Sequence, residues 1–510
     1  MSSQQQRSRS GGAHDEDADS RDLRALGYAP KLHRAVGSYT SFALGFSMVS
    51  ITTGIFTAFS TGLIQIGGIS IWLWLPVMAG VIIIAFVYSH LGARIPISGY
   101  AYQWSSRVGN SHLGWFTGWA AFLAFVAGTA GVATTFANVY DTTFWSHPTQ
   151  HDIQLLAGVV ILVCFVLNLV GVKIATWVNN IAASVELVGT FAIGIITLLG
   201  VLFFFDHTQG ASVLFKANPT GHSHVNLEYV GLAALLPIFT LIGWEGCADL
   251  AEETKDPRRT APRMMMRALL VSAIGGFILF GIFEMAIPGS VATTVNQPGS
   301  PLIYILNVQF GHAMGSLFKA IGFISILSCA LANMAVAVRL MYSLSRDQML
   351  PGGAVLSRVN DRTGTPIACI AFIAALALVI NLLSAGIVTR VISIVTICYY
   401  LTYMLTLISV LVGDHKHRIP EAPGYFNLGR WLRPLTWIGI GYTFVAIVAL
   451  TLPGVNHISA EYSAGGLVIG VIWWALYLRQ RINARVIGPN RLRADAEPVA
   501  VEPPAAGIVA

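Results

Sequence analysis

YTSFALGFSMVSITTGIFTAFSTGLIQI, residues 39–66, is an apolar stretch with a polar run, Ser50-Ile51-Thr52-Thr53-Gly54, near its midpoint. As a helix its 28 residues would reach roughly 42 Å, against a bilayer hydrocarbon core of roughly 30 Å. The length is in excess of what a single crossing needs. A lipid-embedded helix has least reason to be polar at its centre, so the run predicts a local break that offers free backbone groups. A bilayer tolerates such a break only where those groups line a cavity or a binding site.

Composition agrees with a membrane setting. Of the 510 residues 55% are hydrophobic and only 11% charged, with a mean hydropathy of +0.67. An ordinary soluble domain carries about 25% charged residues. The expected fold class is therefore an all-α integral membrane protein. Twelve apolar runs are long enough to span: 39–66, 70–93, 114–145, 153–172, 175–205, 229–250, 266–288, 316–344, 366–384, 388–412, 434–452 and 463–479. A single twelve-span membrane domain is expected over 31–485. The polar residues 1–30 and the Ala-, Pro- and Val-rich residues 486–510 are expected to be disordered, and residues 1–30 lack the apolar centre of a signal peptide.

With the N-terminus placed in the cytoplasm, only Lys216, Lys319 and Arg390 of the 30 Lys and Arg fall outside. Both termini are thus expected on the cytoplasmic side of a plasma membrane. The net charge of +6 is read as inner-face bias and attraction to membrane lipids, with no nucleic-acid surface. Cys164, Cys247, Cys329, Cys369 and Cys398 all fall in expected spans and read as packing residues. The segment 95–113, with Tyr100, Tyr102, Trp104 and Arg107, reads as an amphipathic interfacial piece or an inner gate.

A counterpart to the first break lies in the sixth span, Leu235-Leu236-Pro237-Ile238-Phe239-Thr240-Leu241-Ile242-Gly243-Trp244-Glu245-Gly246. Two interrupted helices five spans apart predict a 5+5 inverted repeat, 39–205 against 229–412, with 434–479 supplying the last two helices. Half-helix N-termini suit an anionic group and unwound carbonyls suit a cation, so a zwitterion or amine is the expected substrate. Alone, Thr52 and Thr53 would equally suit hydroxyls that bond back and bend a helix; the paired break favours binding. Phe239 reads either as a core aromatic or as a ring over the substrate.

Glu186 and Glu245 are carboxylates at membrane depth, candidates for proton or ion coupling or for buried structural acids. Glu284, near an outer helix end, is expected to snorkel to water. Asp249, Glu252, Glu253 and Asp256 are expected to form ion pairs with Lys255, Arg258, Arg259 and Arg263. In the eighth span Ser325, Ser328, Cys329 and Asn333 share one polar face, either helix–helix glue or a cavity wall. The sequence contains no phosphate-binding loop, hydrolase elbow or metal-spaced cluster, so neither a catalytic residue, a metal nor a cofactor is expected. A coupling H+ or Na+ remains compatible with it.

Three stretches carry a family resemblance: LGYAPKLHRAVGSYTSFALGFSMVSITTGIFTAF (26–59), FTLIGWEGCADLAEETKDPRRTAPRMM (239–265) and RLMYSLSRDQMLPGGAVLSRVNDRTGTP (339–366). Together they resemble amino acid permeases of the amino acid–polyamine–organocation superfamily, in the pattern of its amino acid and choline transporter branch. The resemblance implies that Thr52, Thr53 and Gly54 bind a substrate carboxylate, that Phe239 is a gate, and that the carbonyls of Thr240, Leu241 and Ile242 lie near the amine. It puts Glu245 at an acidic position of pH response or substrate contact. Asn333 stands where some relatives carry an aromatic gate. Glu186 stands where several proton-coupled members carry a lysine, and Ser328 joins Glu186 and Glu245 as a coupling candidate. The expectation is a secondary transporter importing an amino acid by alternating access, proton-coupled. The alternatives are a carrier of choline, 4-aminobutyrate or polyamine, or a non-transporting sensor.

Overall fold

The computed structural model describes residues 19–489, except 31, 33, 222–223, 298–299, 384–387 and 453, and without the side chains of 388–390 and 455. The outermost parts of both expected disordered ends, 1–18 and 490–510, lie outside the described residues. The described residues are largely helical and form no β-strand, only the isolated bridges Val36 with Thr254 and Thr208 with Pro288. Ten of its helices are long and apolar enough to cross a membrane. The sixth and ninth expected spans appear as the shorter apolar helices Leu227–Thr240 and Ile367–Leu383.

The first expected span is two helices, α1 (Ser38–Val49) and α2 (Ile51–Gln65), joined at Ser50. The chain continues through α3 (Trp74–Gly92), α4 (Ser111–Phe144), α5 (Gln150–Val170), α6 (Val172–Phe203) and α7 (Leu227–Thr240). After the second break come the one-turn helix α8 (Gly246–Asp249), α9 (Pro257–Met285), α10 (His312–Arg346), α11 (Ile367–Leu383), α12 (Val388–His415), α13 (Leu432–Thr451) and α14 (His457–Trp473). Helix α4 packs against both α10 and α12. Gly128 and Gly131 on α4 let Asn333 and Val391 approach so closely that a Cβ there would lie about 3 Å from them. Outer helices show Val188, Phe203 and Leu476 to the surroundings, the apolar surface that a lipid-facing helix needs.

Within the stretch expected to lack structure, residues 19–25 are helical, and Leu23 and Tyr28 are buried. The reason is local chemistry: Asp22 pairs with Arg258 and Asp19 with Arg34, while Leu23, Leu26 and Tyr28 face the bundle. Residues 95–109 are buried throughout, which makes this segment an internal layer and not an interfacial strip. Glu284 also departs from expectation, being 2% exposed. The chain that follows it folds as the short helices Val291–Val295 and Pro301–Phe310, and Gln309 donates to the Ala286 carbonyl (2.9 Å), capping this end of α9.

Candidate functional site

Ser50 sets the geometry of the first break. Its φ of 36° is left-handed, unusual for a residue with a side chain. Its N–H donates to the Phe46 carbonyl (2.8 Å), ending α1, and its Oγ accepts the Thr53 N–H (3.2 Å), starting α2. The Ser50 hydroxyl donates to Glu186 Oε1 (2.9 Å), and the Thr52 N–H donates to the same oxygen (3.1 Å). Since the Ser50 hydrogen goes to the carboxylate, the Thr53 hydroxyl, 2.6 Å away, is the donor to Ser50. A helix start leaves four N–H groups without intrahelical partners; here those of Ser50, Thr52 and Thr53 are all satisfied.

Glu186 comes from α6, which packs against α1. It is buried, has no ion-pair partner among the described residues, and its Oε2 has no hydrogen-bond partner there. The Thr52 hydroxyl turns toward Thr190 of the same helix (2.9 Å). The chain's own carboxylate thus occupies the backbone cradle expected to receive a substrate carboxylate.

The second break runs from Leu241 to Glu245. Pro237 inside α7 cannot donate, Leu241 N–H closes the helix on the Pro237 carbonyl (3.1 Å), and Gly243 adopts φ +94°. Only glycine suits that position, because a Cβ would meet Met48 at 3.0 Å. Gly54 packs on Thr240, so the two breaks touch. Glu245 is buried beyond the break, its Oε2 accepting the Tyr403 hydroxyl (2.9 Å) and its Oε1 unpartnered among the described residues.

Between the breaks lies a cavity of about 30 Å3, lined by Thr53, Phe239, Ile242, Cys329, Asn333 and Tyr399 with Met48, Val49, Gly128, Gly131 and neighbouring apolar groups. That is room for about two waters, so side chains such as Phe239 must shift to admit a larger solute. Of the residues singled out by sequence, Thr53, Phe239, Ile242 and Asn333 meet at this cavity. Thr52, Gly54, Thr240, Leu241, Glu186 and Glu245 frame the breaks instead. The Thr240 hydroxyl bonds back to Leu236, and Ser328 faces Asn179 (3.0 Å) and Ser47 (3.1 Å) away from the cavity lining. Sequence reasoning missed Tyr399 and Tyr403; the Tyr399, Tyr400, Tyr403 cluster in an apolar helix was the available signal. Of the polar face of the eighth span, read as helix–helix glue or a cavity wall, Cys329 and Asn333 line the cavity.

Toward the N-terminal face the site is sealed by layers. Glu253 pairs with Arg339 (2.9 Å) and Glu252 with Arg346 (2.9 Å), and Asp249 accepts the Gly99 N–H (2.9 Å). These acids therefore reach across to α10 and to the 95–109 layer. Of the basic neighbours expected to pair with them only Arg259 does so, at 3.9 Å from Asp256. Beneath them Asp347 accepts from Tyr28 (2.7 Å), Tyr102 (2.9 Å) and Gln103 (2.9 Å). The Arg346 guanidinium lies 3.7 Å from the centre of the Tyr28 ring. Burial and the neighbouring Asp347 hold the Tyr28 phenol above its usual range, so it stays a neutral donor.

The sequence is similar to those of known proteins. Residues 37–474 match the family model described as amino acid permease. A candidate amino acid/polyamine transporter of Macrophomina phaseolina is 27% identical over 82% of this chain and 95% of its own length. Amino-acid permease BAT1 of Arabidopsis thaliana is 24% identical over 90% of this chain and 94% of its own, and amino-acid permease 2 of Neurospora crassa 23% identical over 89% and 86%. With a paired-break helical bundle and a family match over most of its length, this chain belongs to the amino acid permease family.

Proposed function

We propose that this protein is a twelve-span secondary transporter that moves an amino acid across the plasma membrane by alternating access, coupled to protons, with both termini cytoplasmic. Breaks at Ser50 and at Leu241–Glu245, in the first and sixth expected spans, support the reading of a 5+5 inverted repeat. The observation that carries the reading is the seat of Glu186 on the Ser50 hydroxyl and the Thr52 N–H.

Two anions cannot share one small donor cradle in a low-dielectric interior. A substrate carboxylate arriving at Thr52, Thr53 and Gly54 displaces Glu186, and the displaced carboxylate, with no ion-pair partner among the described residues, takes up a proton. Substrate entry and proton uptake become one event. The carbonyls of Thr240, Leu241 and Ile242 receive the ammonium group, Phe239 closes over the solute, and Asn333 lines the opposite wall. Glu245 and Ser328 support the coupling from the second break and from α10.

The test is uptake into liposomes of purified protein with Glu186→Gln. The amide retains an acceptor oxygen for Ser50 and Thr52 but cannot cycle a proton. Substrate exchange is expected to persist, while accumulation driven by an inward proton gradient is lost and the pH profile flattens. Unchanged gradient-driven accumulation in this variant would overturn the coupling scheme.

A further inference from the structure

Four arginines, Arg258, Arg259, Arg263 and Arg267, line one recess of about 420 Å3 at the start of α9. Its other walls are Ser89 of α3 and Gly424, Tyr425 and Phe426 of the loop after α12. We propose that this recess binds the phosphodiester headgroup of an anionic phospholipid, in the leaflet on the side of the N-terminal segment.

Charge is the first argument. Arg258 bonds to Asp22, and Arg259 lies 3.9 Å from Asp256. Arg263 and Arg267 have no carboxylate partner among the described residues, so the recess carries two uncompensated positive charges. The ring of Tyr425 lies 5.6 Å from Arg258 and 5.4 Å from Arg259, fixing two guanidinium groups at the rim. Arginine forks suit phosphate oxygens, and the first turns of a helix favour an anion.

The second argument selects a lipid over a soluble phosphate. Arg263 and Arg267 share one face of α9 with Leu270, Ile274 and Ile278, at successive steps of three or four residues. Ile274 is 50% and Ile278 51% exposed. The charged recess therefore runs directly into an exposed apolar stripe, the order of headgroup and acyl chain. Basic pockets between membrane helices hold lipid headgroups by this chemistry.

The experiment compares full-length protein with Arg263→Gln/Arg267→Gln in nanodiscs of phosphatidylcholine alone and of phosphatidylcholine with phosphatidylglycerol, reading bound lipid by native mass spectrometry and Tm by thermal shift. At about 1 kcal/mol per basic residue, phosphatidylglycerol retention is expected to fall about 30-fold in the double variant. Its Tm in phosphatidylcholine should match the wild type. Arg358→Gln/Arg362→Gln, which removes two exposed arginines elsewhere on this face, should retain the lipid. Equal retention by the recess variant, equal loss in the control pair, or displacement of the lipid by excess inorganic phosphate would overturn the proposal.

Discussion

Gly54 and Thr240 meet where the two helix breaks touch: a methyl at Gly54 would lie 2.6 Å from the Thr240 hydroxyl oxygen and 2.8 Å from its methyl. This contact leaves no room for any side chain at position 54, and it couples the halves of the site mechanically. Gly54→Ala is expected to cost about 1–3 kcal/mol by overpacking and to lower transport. Thr240→Ala removes both clashing atoms, so the double variant should recover much of the loss. Thermal denaturation of the two single variants and the double tests the coupling.

Among the described residues, Tyr403 supplies the one side-chain hydrogen bond to Glu245 (2.9 Å). Tyr403→Phe leaves a buried carboxyl without that donor and should destabilise by about 1–3 kcal/mol. Replacing both partners, as Tyr403→Phe/Glu245→Leu, should cost less stability than the single change. Should Tyr403→Phe unfold at the wild-type temperature, the bond carries no stability.

The buried pair of Arg339 and Glu253 closes the N-terminal face, with side chains 5% and 0% exposed. Arg339→Met strands a buried charge, and the expected loss is about 3–5 kcal/mol. Arg339→Met/Glu253→Gln should restore most of it. A fall in stability that the second change does not repair would show that the guanidinium acts through its bond to the Ala335 carbonyl instead.

Cys329 is the one cysteine among those lining the cavity; Cys164, Cys247, Cys369 and Cys398 are buried elsewhere. In a variant with those four replaced by Ala, a small methanethiosulfonate reagent should block transport through Cys329, and an excess of transported amino acid should slow the reaction. Labelling at the same rate with and without substrate would separate the cavity from the transport path.

The breaks were legible because polar and helix-breaking residues stand out against apolar runs, at Ser50 to Gly54 and at Pro237 to Glu245. Their partners were not. Glu186 could be recognised as a carboxylate at membrane depth, but its bond to Ser50 joins residues 136 positions apart and no spacing rule reaches that far. Position along a helix suggested that Glu284 meets water, yet it is buried at an end of α9 that Gln309 caps. Likewise the acids after the second break looked matched to adjacent basic residues, whereas the closed face pairs Glu252 and Glu253 with arginines of α10. Local charge pattern predicts that ions will pair, and tertiary packing chooses with whom.

Tyr28 inserts its ring beneath Arg346 and its hydroxyl onto Asp347, and it does so from outside the stretch that matches the family. Under the alternating access proposed for this protein, each opening of this face requires the tether to lift away and later settle back. A fluorophore attached near residue 24 would then brighten and dim once per turnover, making the amino-terminal arm a built-in reporter of the transport cycle.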